Sequence, residues 1–135
     1  MRILAIDYGQ KNIGLAIADV PSGVATPLEV VRKTRNSQEL EEISKILQKW
    51  QVSQVVIGIA LNSEGEETQS SKEARRFGSD LAQIEDITID YIDEQNSTKD
   101  SNLGLNPKRK QKMGDAYAAA AIGQRWIGLQ PAYRS

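Results

Sequence analysis

Residues 12–19 alternate large and small apolar side chains, and this pattern limits what the chain can fold into more than any other feature. The two faces of the predicted strand carry Ile13, Leu15 and Ile17 on one side and Gly14, Ala16 and Ala18 on the other. An alternation with period two is that of a β-strand. The face of small residues allows a helix or another backbone to approach closely. The fold must therefore place a strand here with a close neighbour on one face.

Two further strands flank this one along the chain. The apolar run 2–7 is closed by the turn-forming triplet 7–9, which is typical of a buried strand followed by a tight turn. A third run, residues 24–32, contains Pro27. Because proline cannot donate a hydrogen bond to a neighbouring strand, Pro27 predicts an edge position. The short links predict that the three strands form an antiparallel meander.

Beyond the third strand the apolar spacing becomes helical. Asn36 and Glu39 resemble a capping box that begins a first helix. Two predicted helices carry apolar faces made of Leu40, Ile43, Leu47 and Trp50 and of Ala74, Phe77, Leu81 and Ile84. A third helix, rich in alanine, is predicted over 113–126. The polar segment 60–70 is a predicted loop, and the long polar segment 96–108 is a candidate lid or disordered segment.

Short β-branched runs at 54–59 and 88–92 predict two more strands between the helices. The whole order predicts an α/β fold with a mixed five-stranded sheet, in which two parallel strands join the meander and helices lie on both faces. A chain of 135 residues predicts a single domain over 1–135. The tail after about residue 128 is expected to be loose.

The residue types that are missing limit the chemistry. The chain has no histidine and no cysteine, which excludes a thiolate nucleophile, an imidazole base and a conventional zinc site. Catalysis would use carboxylates, hydroxyls, lysines or hard metal ions held by oxygen. The net charge of −1 argues against a nonspecific nucleic-acid coat protein. No apolar run approaches the roughly 20 residues of a membrane span, and we expect a reducing, cytoplasmic location.

Acidic residues follow the ends of two strands that are expected to be parallel. Asp7 closes the first strand, and Asp93 and Glu94 close the last. Asp115 would lie in the first turn of the third helix, which could pack on the small face of the second strand. Such acids can also initiate turns or stabilise helix N-termini, so each is weak evidence alone. Together they predict an oxygen-only site suited to Mg²⁺ or Mn²⁺.

A basic cluster precedes the predicted third helix and consists of Lys108, Arg109, Lys110 and Lys112. Such a run is commonly a solvated surface. Here, however, it stands before a helix N-terminus, where the helix dipole disfavours positive charge. The cluster therefore favours a nearby polyanion, of which a phosphate backbone is the obvious example.

These residues resemble the motifs of the YqgF family, also called RuvX. Residues 6–16 resemble its opening Asp-x-Gly-x-Lys-x-x-Gly-x-Ala pattern, and residues 55–62 resemble its central strand and loop. Residues 93–94 and 114–119 resemble its remaining acidic motifs. The likeness covers about residues 2–127 in the expected order.

The resemblance implies an RNase H-like fold related to Holliday junction resolvases. It implies a divalent-metal-dependent endonuclease that processes the 5′ end of pre-16S rRNA in ribosome biogenesis. It also implies that Asp7, Glu94 and Asp115 are the catalytic, metal-binding carboxylates, with Mg²⁺ or Mn²⁺ as the cofactor.

The chain departs from the family pattern beside the last strand. Gln95 stands where the family usually has arginine, which removes a bidentate phosphate donor. Ala60 replaces the proline of the central loop. Lys11 and Asn62 remain as candidate phosphate contacts.

Other functions stay open at this point. A resolvase acting on branched DNA would need a dimer to nick two strands symmetrically, and the sequence does not give the oligomeric state. A non-catalytic nucleic-acid or ribosome-assembly protein would keep the acids but bind substrate weakly. The Asp7-x-Gly9 turn also resembles the phosphate loop of actin-like ATPases, although those have two duplicated domains.

Overall fold

A computed structural model describes residues 1–20, 22–93 and 107–130, and for residues 107–113 it describes the backbone only. The strands are β1 (Arg2–Tyr8), β2 (Asn12–Asp19), β3 (Val24–Arg32), β4 (Gln54–Ile59) and β5 (Thr88–Asp93). The helices are α1 (Gln38–Lys49), α2 (Gln69–Ile84) and α3 (Pro107–Leu129). Within these ranges no helix is both long enough and apolar enough to span a membrane.

The five strands form one mixed sheet in the order β3-β2-β1-β4-β5. β2 is antiparallel to both β1 and β3, whereas β4 is parallel to β1 and to β5. The predicted meander with two added parallel strands is confirmed, and Pro27 lies in the edge strand as expected. β1, β4 and β5 therefore end at one edge of the sheet, called here the carboxyl edge.

Helices α1 and α2 cover one face of the sheet. The fully buried large side chains of this layer include Leu4, Ile6, Leu15, Ile43, Leu47, Ile57 and Leu81. The helical face predicted for α1 is confirmed, since Ile43 and Leu47 are buried and Leu40 and Trp50 pack against them. This apolar layer fixes the register of the strands, because a shift by one residue would turn its large side chains to the opposite face, where α3 packs closely on small residues.

Helix α3 covers the other face, where the strands carry small residues. The buried group on this side includes Ile3, Ala5, Ala16, Ala18, Ala119 and Ile122. At Gly14 the backbone of α3 lies so close that an added Cβ would overlap the Asp115 carbonyl and stand 2.8 Å from the Ala116 nitrogen. The close approach expected on the small face of β2 is therefore confirmed.

The capping box predicted from Asn36 and Glu39 is wrong. Helix α1 has Ser37 as its N-cap, with a left-handed φ of 56° and no side-chain cap hydrogen bond. Glu39 therefore sits at the second helical position, one short of the third position that a capping box requires. Its buried carboxylate instead accepts hydrogen bonds from the Thr34 backbone N–H at 3.0 Å and hydroxyl at 3.3 Å.

Helix α2 begins inside the segment predicted to be a loop. Thr68 and Ser71 cap it reciprocally, because each hydroxyl accepts a hydrogen bond from the other residue's backbone N–H at 3.0 and 2.8 Å. Serine takes the place that glutamate or glutamine usually has in this motif, so the sequence did not indicate the capping box. On the predicted apolar face Ala74, Phe77 and Leu81 are buried, but Ile84 ends the helix and is 52% exposed.

Helix α3 begins at Pro107, six residues before its predicted start at 113. Proline suits the first helical position, where its missing N–H leaves no hydrogen bond unmade. The basic cluster 108–112 therefore lies within the first turns of α3 and not before it. Most of the candidate lid lies in 94–106, outside the described residues.

Candidate active site

Asp7 is half-buried near the carboxyl end of β1. Because side chains alternate along a strand, it shares the α3 face with Ile3 and Ala5, which are buried there. Its partners in the neighbouring strands are Gly14 in β2 and Gly58 in β4. On the α3 face of the sheet, both strand neighbours of Asp7 therefore lack a side chain.

Asp115 reaches this place from the helix. The backbone of Asp115 packs directly on Gly14, the β2 partner of Asp7. The Asp115 side chain is half-buried, and burial raises the pKa of its carboxyl group above its ordinary value. The structure thus packs the Asp115 backbone on the strand partner of Asp7, although the two acids are more than 100 residues apart in the chain.

The third acidic position lies at the end of β5. Asp90 and Ile92 face α3, because the Trp126 indole N–H donates to the Asp90 carboxylate at 3.0 Å and Ile92 is buried against α3. By strand alternation, Asp93 points to the opposite face. Glu94 comes next in the chain and lies outside the described residues. Within the described ranges no group of three or more acidic residues could hold a metal ion.

Arg125 is a residue at this edge that the sequence did not indicate. Its guanidinium donates to the Asp93 backbone carbonyl at 2.7 Å and so ties the end of β5 to α3. The adjacent Trp126 makes the contact with Asp90. Both contacts join positions more than 30 residues apart, and one acceptor is a backbone carbonyl, so no local pattern could have found them.

Lys33 is a second such residue, placed beside the β1–β2 turn. Its ammonium donates to the Gly9 carbonyl at 3.3 Å and lies 4.2 Å from the centre of the Tyr8 ring. Tyr8 in turn packs on Phe77 with ring centroids 4.9 Å apart. The Lys33 ammonium is thus held beside Gly9, which follows Asp7 by two residues in the chain, on the face opposite to α3.

The predicted phosphate contacts differ in their surroundings. Lys11 is exposed in the β1–β2 turn. Asn62 shapes its own loop, since its side-chain oxygen accepts from the backbone N–H groups of Glu64 and Glu66, both at 2.9 Å. The side chains of Lys108, Arg109, Lys110 and Lys112 lie outside the described part.

The RuvX family model, described as a Holliday junction resolvase, matches residues 1–128. The chain belongs to this family. A relative from Anaeromyxobacter sp. (strain Fw109-5) is 37% identical over 132 residues, which cover 94% of this chain and 96% of the relative. One from Bordetella petrii is 33% identical over 129 residues, which cover 96% of both chains. Both are named "Putative pre-16S rRNA nuclease".

Solved structures of resolvases share the fold of this RuvX member. The Thermus thermophilus RuvC in complex with a Holliday junction substrate aligns with a TM-score of 0.60 at 16% identity, over 92% of this chain and 90% of RuvC. The Fowlpox virus resolvase in complex with Holliday junction DNA aligns with a TM-score of 0.59 at 13% identity, over 96% and 100%. The RNase H-like architecture expected from the sequence is therefore confirmed.

Proposed function

We propose that this RuvX protein is a divalent-metal-dependent endonuclease that processes the 5′ end of pre-16S rRNA. The observation that carries the proposal is the packing of the Asp115 backbone on Gly14, the strand partner of Asp7. This packing puts the Asp115 backbone near Asp7 at the carboxyl edge of the sheet, where ligands of open α/β sheets bind, and it supports an acidic site there. The names of the relatives at 33–37% identity support the substrate. A cytoplasmic location goes with that substrate and stays a prediction.

The residues present fit a hard cation. Carboxylate oxygens are the ligands that Mg²⁺ and Mn²⁺ prefer, and the chain has no histidine or cysteine to offer a softer metal. We assign Asp7 and Asp115 as two ligands and Glu94 as the third. Asp93 is the less suitable neighbour, because its strand position faces away from α3. With divalent cations bound, such a site activates water and stabilises the leaving oxygen of a phosphodiester.

The chain's own residues have separate tasks in this proposal. Asp7, from the rigid first strand, and Asp115, from the helix, fix the spacing of the acidic groups. Arg125 holds the end of β5 against α3 and so positions the segment that continues into Glu94. Lys11, Asn62 and the basic cluster 108–112 are proposed to contact phosphates of the substrate.

A second candidate is cleavage of four-way DNA junctions, which the family description favours. Symmetric cutting of a junction would need two sites and hence a dimer. A protein that binds RNA without cutting it is the third alternative, and the absence of cleavage would favour it.

One experiment separates these functions. Purified protein is incubated with Mn²⁺ or Mg²⁺ and either a pre-16S rRNA 5′ leader or a synthetic four-way DNA junction. Asp7→Asn, Glu94→Gln and Asp115→Asn should each abolish RNA cleavage, whereas the matched control Asp93→Asn should retain it. Cleavage of the junction alone would support the resolvase, and cleavage of neither substrate would contradict a nuclease function.

A further inference from the structure

Three cations lie beside the β1–β2 turn, at the carboxyl edge of the sheet, and a fourth follows them two residues later in the chain. We call Lys11, Arg32, Lys33 and Arg35 the cationic rim. The strand register pairs Arg32 with Asn12, next to Lys11, and the Lys33 backbone N–H donates to the Lys11 carbonyl at 2.9 Å. The end of β3 and the start of β2 are therefore joined, and the rim lies on the same sheet edge as Asp7.

Lys33 is held in place before any substrate arrives. Its half-buried ammonium uses one N–H on the Gly9 carbonyl at 3.3 Å and rests 4.2 Å from the Tyr8 ring centre. An ammonium has three N–H donors, so two remain for other acceptors. A side chain that is already ordered loses less conformational entropy on binding than a free lysine does.

The positive charge of the rim is not neutralised by the described residues around it. Lys11, Arg32 and Arg35 are exposed, and the ion pair found in the described ranges joins Arg75 to Glu67, away from the rim. The nearby acid Glu39 is buried and accepts its hydrogen bonds from Thr34. Because the whole chain has a net charge of −1, this concentration of positive charge is local.

We propose that the cationic rim binds the phosphate backbone of the RNA strand on the β3 side of the cut. This inference rests on the proposed function and adds a surface to it. Strands lie about 4.8 Å apart, so β3 is roughly 10 Å from Asp7, which is about three nucleotides of a stacked strand. The Lys33 side chain reaches back to the Gly9 carbonyl, so the rim spans from the β1–β2 turn to β3 and would hold the backbone while the acidic edge receives the phosphodiester to be cut.

The test measures RNA binding without cleavage. A fluorescein-labelled pre-16S rRNA leader is titrated in chelator, with fluorescence anisotropy read at several salt concentrations. Lys33→Met/Arg35→Gln should bind about tenfold more weakly, and its log–log salt slope should fall by about 1.4, or about 0.7 for each cation removed from a single strand. Lys33→Arg, which keeps the charge, should stay within about twofold of the wild type.

A matched control removes the same charge elsewhere. Lys45→Gln/Lys49→Gln on the exposed side of α1 should leave affinity and salt slope within about twofold of the wild type. Lys11→Gln/Arg35→Gln, at exposed positions, repeats the test without touching the Tyr8 contact and guards against misfolding of the Lys33 variant. Equal affinities and slopes for the rim variants and the α1 control would overturn the inference.

The inference and the proposed function fail in different ways. A wild type that binds RNA through the rim but cuts no substrate would contradict the nuclease function and support the rim as an RNA-binding surface. A wild type that cuts RNA while the rim variants bind it normally would contradict the rim alone. Loss of affinity only for a four-way DNA junction, or no RNA binding by the wild type, would overturn the assignment of RNA to this surface.

Discussion

Gly14→Ala should move Asp115 away from Asp7, because the Asp115 backbone packs on Gly14, the strand partner of Asp7. The new Cβ would overlap the Asp115 carbonyl and stand 2.8 Å from the Ala116 nitrogen, whereas ordinary contact begins near 3.4 Å. The nitrogen would have to move by roughly 0.6 Å and the carbonyl by more. Both obstacles are backbone atoms, so no side-chain rotation can relieve them, and α3 itself must shift away from β2.

The cost should be near the upper end for overpacking, about 3 kcal/mol of unfolding free energy. For a domain of this size the midpoint of thermal unfolding should fall by roughly 10 °C. RNA cleavage should fall further than the stability loss explains, because Asp115 moves with the helix. Thermal denaturation followed by circular dichroism, with cleavage assayed well below the midpoint, measures both effects.

Gly114→Ala is the matched control, one residue before Asp115 in the same helix. An added Cβ at Gly114 has no described atom within 4 Å. Replacing a helical glycine with alanine there should stabilise the protein by up to about 1 kcal/mol. If Gly14→Ala melted within a degree of the wild type and cleaved RNA normally, the close packing of α3 on β2 would be refuted.

Three further predictions concern α3. Asp115→Asn should abolish cleavage yet raise the thermal midpoint at pH 7 in chelator. Burial raises the pKa of this carboxyl, so the native state binds the proton more tightly than the unfolded state does. The free energy of unfolding therefore falls as the pH rises through that pKa, and the uncharged amide avoids this loss. An unchanged or lower midpoint would contradict this. Gln124→Ala should cost about 1–2 kcal/mol in urea unfolding with cleavage kept, since the side chain makes two hydrogen bonds to the backbone of 23–25. Arg125→Met should lower the cleavage rate and weaken Mn²⁺ binding while Arg125→Lys restores part of both; equal rates for all three proteins would exclude a positioning role.

The sheet could be predicted from the sequence because its signals are local. The alternation over 12–19 identifies both the strand and the face that α3 covers, and Pro27 identifies the edge. The parallel set followed from the order of the elements, and with it the carboxyl edge where Asp7 lies. These features depend on side-chain period and chain connectivity, which the sequence carries directly.

The remaining features depend on contacts that are distant in the chain. The start of α3 at Pro107 was missed because the basic residues that follow disagree with the helix dipole, although proline suits a first helical position. Lys33 and Arg125 donate to the backbone carbonyls of Gly9 and Asp93, and no residue pattern in the sequence predicts such contacts. The metal-binding roles of Asp7, Glu94 and Asp115 stay predictions, as do the phosphate contacts of Lys11, Asn62 and the basic cluster 108–112.

The most direct test of the central claim is Mn²⁺ binding, followed through the electron paramagnetic resonance signal of the free ion. Wild-type protein should deplete that signal. Asp7→Asn, Glu94→Gln and Asp115→Asn should each weaken binding about tenfold or more, because each removes a proposed ligand. Asp93→Asn, on the opposite face of β5, and Asp19→Asn, at the opposite edge of the sheet, should bind like the wild type. Equal Mn²⁺ affinity in all six proteins would contradict a carboxylate metal site at the carboxyl edge.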